Sequence, residues 1–479
     1  MLNRHGLIAG ATGTGKTKTV QVIAEAMSEK GIPIMLMDLK GDLSGLAVAG
    51  NNHPKIQERH EKIGFGYTPE AFPVELLSLS DEKGAKLRAT VIEFGPVLFS
   101  KILELNDTQS GIVSIIFKYC DDRGLLLVDL KDFKEVLGYV TDEGKEEFED
   151  EYGRISSASV GTILRKIIEI EQQGADKFFG EPSFEPEDLM QVDENGKGLI
   201  SILRLTDIQD RPKLFSTFML SLLAEIYANF PEQGDADKPK LCLFIDEAHL
   251  VFNNASKALI EQIENIVRLI RSKGVGVYFI TQNPSDVPDA ILSQLGMKVQ
   301  HALRAFTAKD RKMIKSTAEN YPISEFYETD EMLTSMGIGE AAITVLDEKG
   351  RPTPLVHCLL RAPRTRMDIL SNLEINGLVA ASKLSAKYNV EIDRESAYEI
   401  LKEKIEFAER AKAEEEQADE KKVVRTKKVA EEKGVIEQLS KNTMIRQLGR
   451  EVTRQVTRGL LGALGIKSTR RSSRRGGWF

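Results

Sequence analysis

Cysteine is scarce: Cys120, Cys242 and Cys358 are the only three in 479 residues, widely spaced and each in or beside an apolar run. That usage excludes a disulfide framework or a metal knuckle, and predicts a protein of the reducing cytoplasm. No apolar run approaches the roughly twenty residues that span a bilayer, so no integral membrane insertion is expected. No signal peptide is expected either, because a glycine-rich segment starts within the first ten residues. Positive charge is not in surplus. With 65 Lys and Arg against 73 Asp and Glu, the formal net charge is -8. This argues against a uniformly basic nucleic-acid coat, although a local basic channel remains compatible with it. What is present, 41% hydrophobic and 29% charged residues over a length that holds two or three domains, is ordinary for a soluble protein with a substantial core.

The most specific stretch is Gly10-Ala11-Thr12-Gly13-Thr14-Gly15-Lys16-Thr17. A glycine, four residues, then Gly-Lys-Thr is the spacing of a loop that cradles phosphates. Gly13 and Gly15 permit a tight turn that aims successive backbone N–H groups at phosphate oxygens. Lys16 brings a point charge to the β- and γ-phosphates, and the Thr17 hydroxyl is a ligand for Mg²⁺. Leu7-Ile8-Ala9 reads as a buried strand entering the loop. Val20, Ile23, Ala24 and Met27 recur at helical spacing after it, so the loop opens a helix whose N-terminus favours anions. Ala11, Thr12, Gly13, Thr14, Gly15, Lys16, Thr17 and Lys18 are the expected contacts for ATP.

Further along, Ile32 to Asp38 reads as a second buried strand, followed by the polar loop Leu39 to Gly45. Apolar spacing at Ile102–Leu105, Ile112–Ile116 and Val160–Ile170 predicts a mostly helical insertion over 51–197. Strand–helix alternation resumes at Gly198–Leu203. It continues through a buried helix at Lys213–Phe230, a strand at Leu241–Ile245, a helix at Ser256–Lys273, a strand at Val275–Thr281, a short helix at Ala290–Leu295 and a strand-like Lys298–Leu303. Repeated units with fully apolar strands predict an α/β fold around a mostly parallel sheet, with core segments 1–50 and 198–365. Residues 366–479 predict a charged helical arm. Its end turns basic, with Arg446, Arg450, Arg454 and Arg458 on one helical face and Arg470, Arg471, Arg474 and Arg475 beyond. This tail reads either as a solvated segment or as a surface for nucleic acid, an acidic partner or an anionic membrane.

Apolar runs end in acid at Asp38, Asp129 and Asp246. Only Asp246 is followed by a second carboxylate, Glu247, which predicts Asp246 as the Mg²⁺ ligand and Glu247 as the group that activates water. Asp38 and Lys40 follow the strand after the loop helix and are second-rank candidates, whereas Asp129 lies in the insertion and is set aside. Gln282 ends the strand Val275–Thr281 and is predicted to sense the γ-phosphate. Asp246-Glu247-Ala248-His249 matches the four letters of DEAH-box helicases, without the rest of that motif set.

Together with Asp38-Leu39-Lys40-Gly41-Asp42-Leu43-Ser44-Gly45, Gln173 to Gly180 and Arg268 to Val277, these residues resemble the HerA–FtsK branch of P-loop ATPases, most of all bacterial HerA-like ATPases of the YjgR type. The resemblance covers roughly residues 3 to 365. It implies a RecA-like core, a ring, usually hexameric, and ATP-driven movement on DNA, with a nuclease or other protein as partner. It also implies an arginine supplied by a neighbouring subunit, for which Arg304 and Arg311 are the candidates, with Arg271 behind them. The N-terminal barrel of HerA is not expected here. Rival readings are a VirB4-like ATPase that acts on protein and an ATP-gated scaffold.

Overall fold

The computed structural model describes residues 5–233, 237–252, 257–390, 392, 394–407 and 410. The predicted basic helix, the terminal arginines and most of the charged arm lie outside these residues, as does Ser256. Contacts divide the described chain into two compact units. One comprises 5–88, 172–178 and 182–390. The other comprises 89–171, 179–181 and the described residues from 392 onward.

The first unit is built on a ten-stranded sheet. Its strands are β1 (Gly6–Ala9), β2 (Ile34–Asp38), β3 (Val74–Ser78), β4 (Ala85–Lys86), β5 (Ile200–Arg204), β6 (Leu241–Ile245), β7 (Val275–Thr281), β8 (Met297–Gln300), β9 (Glu340–Thr344) and β10 (Val356–Leu359). They run in the order β10-β9-β8-β1-β7-β6-β2-β5-β3-β4. Every pairing from β8 to β4 is parallel, while β9 pairs antiparallel with both β8 and β10. The α/β, mostly parallel reading therefore holds. Strands β1, β2, β6 and β7 are buried at every residue, which explains their unbroken apolar runs.

Helix α1 (Lys16–Glu29) buries Val20, Ala24 and Met27 in one cluster with Ile8, Leu36, Ile202 and Phe244. Covering such side chains contributes roughly 1.5–3 kcal/mol each. The helix Pro212–Asn229 opens with proline, whose fixed φ suits a first helical position, and is buried on nearly every side. Strands β3 and β4 lie inside the 51–197 span yet pair into the core sheet, and the helices Asn372–Ala381 and Lys383–Tyr388, beyond 365, group with the core unit.

The second unit is helical, with Val91–Ile102, Asp107–Arg123, Leu130–Thr141, Lys145–Tyr152 and Ser157–Glu171 as its main elements. Phe99, Phe117 and Phe133 pack at its centre, with ring centroids 4.9 to 6.1 Å apart. Asp129 caps one of these helices, accepting from the N–H groups of Lys131 and Asp132, so its position is set by helix initiation.

Candidate functional site

The parallel pairing puts the carboxyl ends of β1, β2, β6 and β7 along one edge of the sheet. Thr281, the last residue of β7, lies beside Ala9, the last of β1, and its carbonyl accepts from the Gly10 N–H at 3.3 Å. The loop from Gly10 to Gly15 then turns into α1. Gly10 has φ of 152°, and a Cβ there would lie 2.5 Å from the Cβ of His301, so only glycine fits. Gly15 caps α1 at φ 110°, a conformation that side chains rarely adopt.

Within the loop, the Ala11 N–H donates to the Ala302 carbonyl at 2.9 Å and the Thr14 hydroxyl to the Ala11 carbonyl at 2.7 Å. Thr12 and Gly13 are exposed at the tip. The Lys16 ammonium is 7% exposed and donates to the carbonyls of Gly10 at 2.6 Å and Ala11 at 3.2 Å. Burial lowers its pKa and Lys40 does the same, while Glu247 and Asp246 pull it back. Thr17, next to Lys16, lines one cleft with Asp246, and Lys40 pairs with Glu247, so the loop and the two acids meet at one edge of the sheet. The Lys18 ammonium donates to the Met367 carbonyl at 2.6 Å, and the Thr17 hydroxyl donates to Asp42 Oδ2 at 3.1 Å.

Asp246 and Glu247 follow β6 directly. Burial pushes the Asp246 carboxyl up to about 7, with Lys40 opposing and Glu247 adding to the shift. Glu247 has φ of 46° and is one of two non-glycine residues with positive φ among those described. Its carboxylate pairs with the Lys40 ammonium and faces His249 Nδ1 at 3.3 Å. The site's strained backbone is thus at its second acid. Gln282 occupies the bend just after Thr281, partly buried, at the same edge.

Asp38, a second-rank candidate, ends β2 and organises the loop that follows. Its carboxylate accepts from the N–H groups of Gly41 (2.7 Å), Asp42 (3.2 Å) and Leu43 (3.0 Å), and so shapes the loop that carries Lys40 and Asp42. Burial raises its pKa to about 6 although those N–H groups favour the ionised form.

The residues present suit a divalent cation. Thr17, Asp42 and Asp246 line one small cleft, and Asp42 Oδ1 is buried there without a hydrogen-bond partner. A hydroxyl and carboxylate oxygens are the donors that Mg²⁺ takes. Among the described residues no group of three or more His, Cys, Asp or Glu is gathered as a metal cage. Thr17 and Asp246, with Asp42 beside them, are the residues that would hold the cation.

Asp42, His301 and Arg59 were not singled out by sequence reasoning. His301 accepts or donates at Thr19 Oγ1 (2.9 Å) behind the loop, and burial drives its pKa down to about 4. Arg59 donates to the carbonyls of Ile338, Gly339 and Leu360, and the Gly339 N–H in turn donates to the Thr14 carbonyl at 3.0 Å. Only Asp42, beside a glycine in an acidic loop, left a signal. Of the predicted arginines, Arg304 donates to the carbonyls of Thr334 (3.1 Å) and Met336, and Arg311 stands exposed on the helix Ala308–Glu319. Arg271 opens a short 3₁₀ turn before β7.

A phosphate loop between the first strand and its helix, with paired acids two strands away in a parallel sheet, defines a P-loop NTPase with a RecA-like core. Residues 1–470 match the family model of the helicase HerA-like C-terminal domain, and the chain belongs to that family. It is 24% identical over 356 residues to the DNA double-strand break repair helicase HerA of Sulfurisphaera tokodaii, covering 71% of this chain and 62% of that protein. The chain thus spans less than two thirds of that relative's length. Among solved structures, the unbound conjugative coupling protein TrwBΔN70 gives a TM-score of 0.51 at 14% identity, over 77% of this chain and 88% of its own. TrwB in complex with ADP and Mg²⁺ gives 0.50 at 14% identity, over 77% and 89%. At that identity the likeness speaks for the fold. Among the described residues, no helix is long and apolar enough to cross a membrane.

Proposed function

We propose that this chain hydrolyses MgATP and couples turnover to movement on double-stranded DNA as a ring, most simply a hexamer. The observation that carries the reading is the convergence of the loop with the first acid: Thr17, next to Lys16, and Asp246, far apart in sequence, line one cleft. Ala11 to Lys18 hold the phosphates, through backbone N–H groups and the Lys16 ammonium. Thr17 and Asp246 hold the cation, which when bound neutralises charge on the β- and γ-oxygens. Glu247 takes a proton from the attacking water as the water oxygen bonds to the terminal phosphorus. The bond from that phosphorus to the bridging oxygen breaks, and ADP leaves with the electron pair. Gln282, in the bend after the strand between the loop and the acids, orients water against the terminal phosphate in this reading.

A broader cleft lined by Gly15, Lys18, Ile56, Arg59 and Ile338 adjoins the loop and gives the nucleoside room. Arg304 or Arg311 of one subunit completes the site of the next, where a cation would stabilise the charge that builds on the transferring group. DNA as the track rests on family membership and on the relative named above.

The test is ATP turnover with and without duplex DNA, on the wild type, Lys16→Ala and Glu247→Gln. Both substitutions are expected to lower turnover by at least about a hundredfold, and DNA to raise wild-type turnover with a steep salt dependence. Unchanged hydrolysis in Glu247→Gln would overturn the assignment of the water-activating group. Turnover indifferent to DNA would remove the track and favour a motor that works on protein.

A further inference from the structure

The ion pair between Lys40 and Glu247 is not required by the hydrolytic scheme, and it engages the group that must be free to take a proton. Three features of its surroundings bear on what it does. First, the pair is asymmetric. The Glu247 side chain is 10% exposed and rides on a left-handed backbone held by the Ala248 N–H to Ile280 carbonyl bond at 2.9 Å, whereas the Lys40 side chain is 40% exposed. A four-carbon ammonium stem in partial solvent can swing, and a carboxylate on a short, buried stem cannot. Second, the base of Lys40 is fixed. Its loop is pinned by the three N–H groups that Asp38 gathers, and Gly41 turns at φ 76° against Thr206. Third, the loop that carries Lys40 meets the phosphate loop: the Thr17 hydroxyl, next to Lys16, donates at 3.1 Å to Asp42 Oδ2, two residues on from Lys40.

Building on the hydrolytic reading, we propose that Lys40 is a positioning residue that restrains the Glu247 carboxylate until a terminal phosphate draws the ammonium away. A γ-phosphate carries more charge than a carboxylate and offers three oxygens, so it competes for the Lys40 donors. ADP has no group at that position and leaves the pair closed. Lys40 thereby links triphosphate occupancy to release of Glu247, and contributes to telling ATP from ADP. The ammonium withdraws from Glu247 only when there is a bond to break.

The experiment measures equilibrium binding of ADP and of a non-hydrolysable ATP analogue to the full chain, in the wild type, Lys40→Ala, Lys40→Arg, Glu247→Gln and the double variant Lys40→Ala/Glu247→Gln. Lys40→Ala is expected to weaken the triphosphate by about tenfold, the size of one charge-assisted contact, and to leave ADP within about twofold. Lys40→Arg restores most of the preference. Glu247→Gln, which removes the competing carboxylate, binds the triphosphate more tightly than the wild type, and this gain disappears in the double variant. Equal weakening of both nucleotides by Lys40→Ala would reduce Lys40 to a loop support and overturn the proposal. So would no change in either nucleotide, or a gain in Glu247→Gln that survives loss of Lys40. Lys16→Ala is the control that separates the two readings. If it abolishes turnover while Lys40→Ala keeps the full triphosphate preference, only the role of Lys40 falls; if it hydrolyses normally, the hydrolytic reading falls first.

Discussion

His5 stands just before β1 at 2% exposure, held by two backbone groups. Its Nδ1 accepts from the Val277 N–H at 3.0 Å, which leaves the Nε2–H to donate to the Val267 carbonyl at 2.8 Å. Burial lowers its pKa from 6.5 to about 4. A histidine depressed in the folded state takes up its proton first in the unfolded chain. Its contribution to stability is therefore complete above pH 6.5 and is lost as pH falls toward 4. Between pH 7 and 5 that loss amounts to about 1–2 kcal/mol. His5→Gln should lose correspondingly less stability over the same interval than the wild type, as measured by chemical denaturation at each pH. An identical pH slope in the two proteins would mean that another group carries the dependence. Single residues also show where sequence reasoning stops. The Asp246–Glu247 pair could be read because two acids ending an apolar strand are unusual. The contact of Glu247 with Lys40 could not, because it depends on β2 and β6 becoming neighbours in the sheet.

At the scale of elements, the strands most plainly legible are those buried along nearly their whole length, while the strand-like Lys298–Leu303 overlaps β8, which is half buried. β1, β2, β5, β6 and β7 announce themselves as continuous apolar runs. β10 at one edge is largely exposed and β4 at the other is two residues long, so neither leaves a period to detect. β3 escaped for a related reason, as its first two residues are only partly buried and it lies within a stretch otherwise rich in helices. The loop–helix unit at the start of the chain is the element with least tolerance. Gly10→Ala would force a Cβ against His301 in a backbone conformation unfavourable to side chains, at a cost of about 2 kcal/mol or more. A lower denaturation midpoint with weakened nucleotide binding is the expected result, and a fully stable variant would show that the loop can relocate. In the second unit, Phe133 is fully buried against Phe99 and Phe117, so Phe133→Ala should cost about 3–5 kcal/mol by urea denaturation.

For the molecule as a whole, a site completed in trans makes activity a property of the assembly. Neither Lys16→Ala nor Arg304→Ala should hydrolyse ATP alone if Arg304 serves the neighbouring subunit. Mixed in equal amounts, they should regain part of the wild-type rate, because some interfaces then pair an intact loop with an intact arginine. Failure of the mixture, with Arg311→Ala succeeding in its place, would transfer the role to the helix Ala308–Glu319. Size-exclusion chromatography with light scattering, with and without nucleotide, reports whether rings are present in each case.

β7 stands between the strand that leads into the phosphate loop and the strand that ends in the two acids, bonded to both in parallel register. The strand ends from which the loop and the two acids spring are therefore held at fixed spacing by two hydrogen-bonded ladders. The segments beyond those strand ends are the ones the ladders leave unclamped: the bend at Gln282, the turn that bears Lys40, and the loop from β1 to α1 that delivers Lys16.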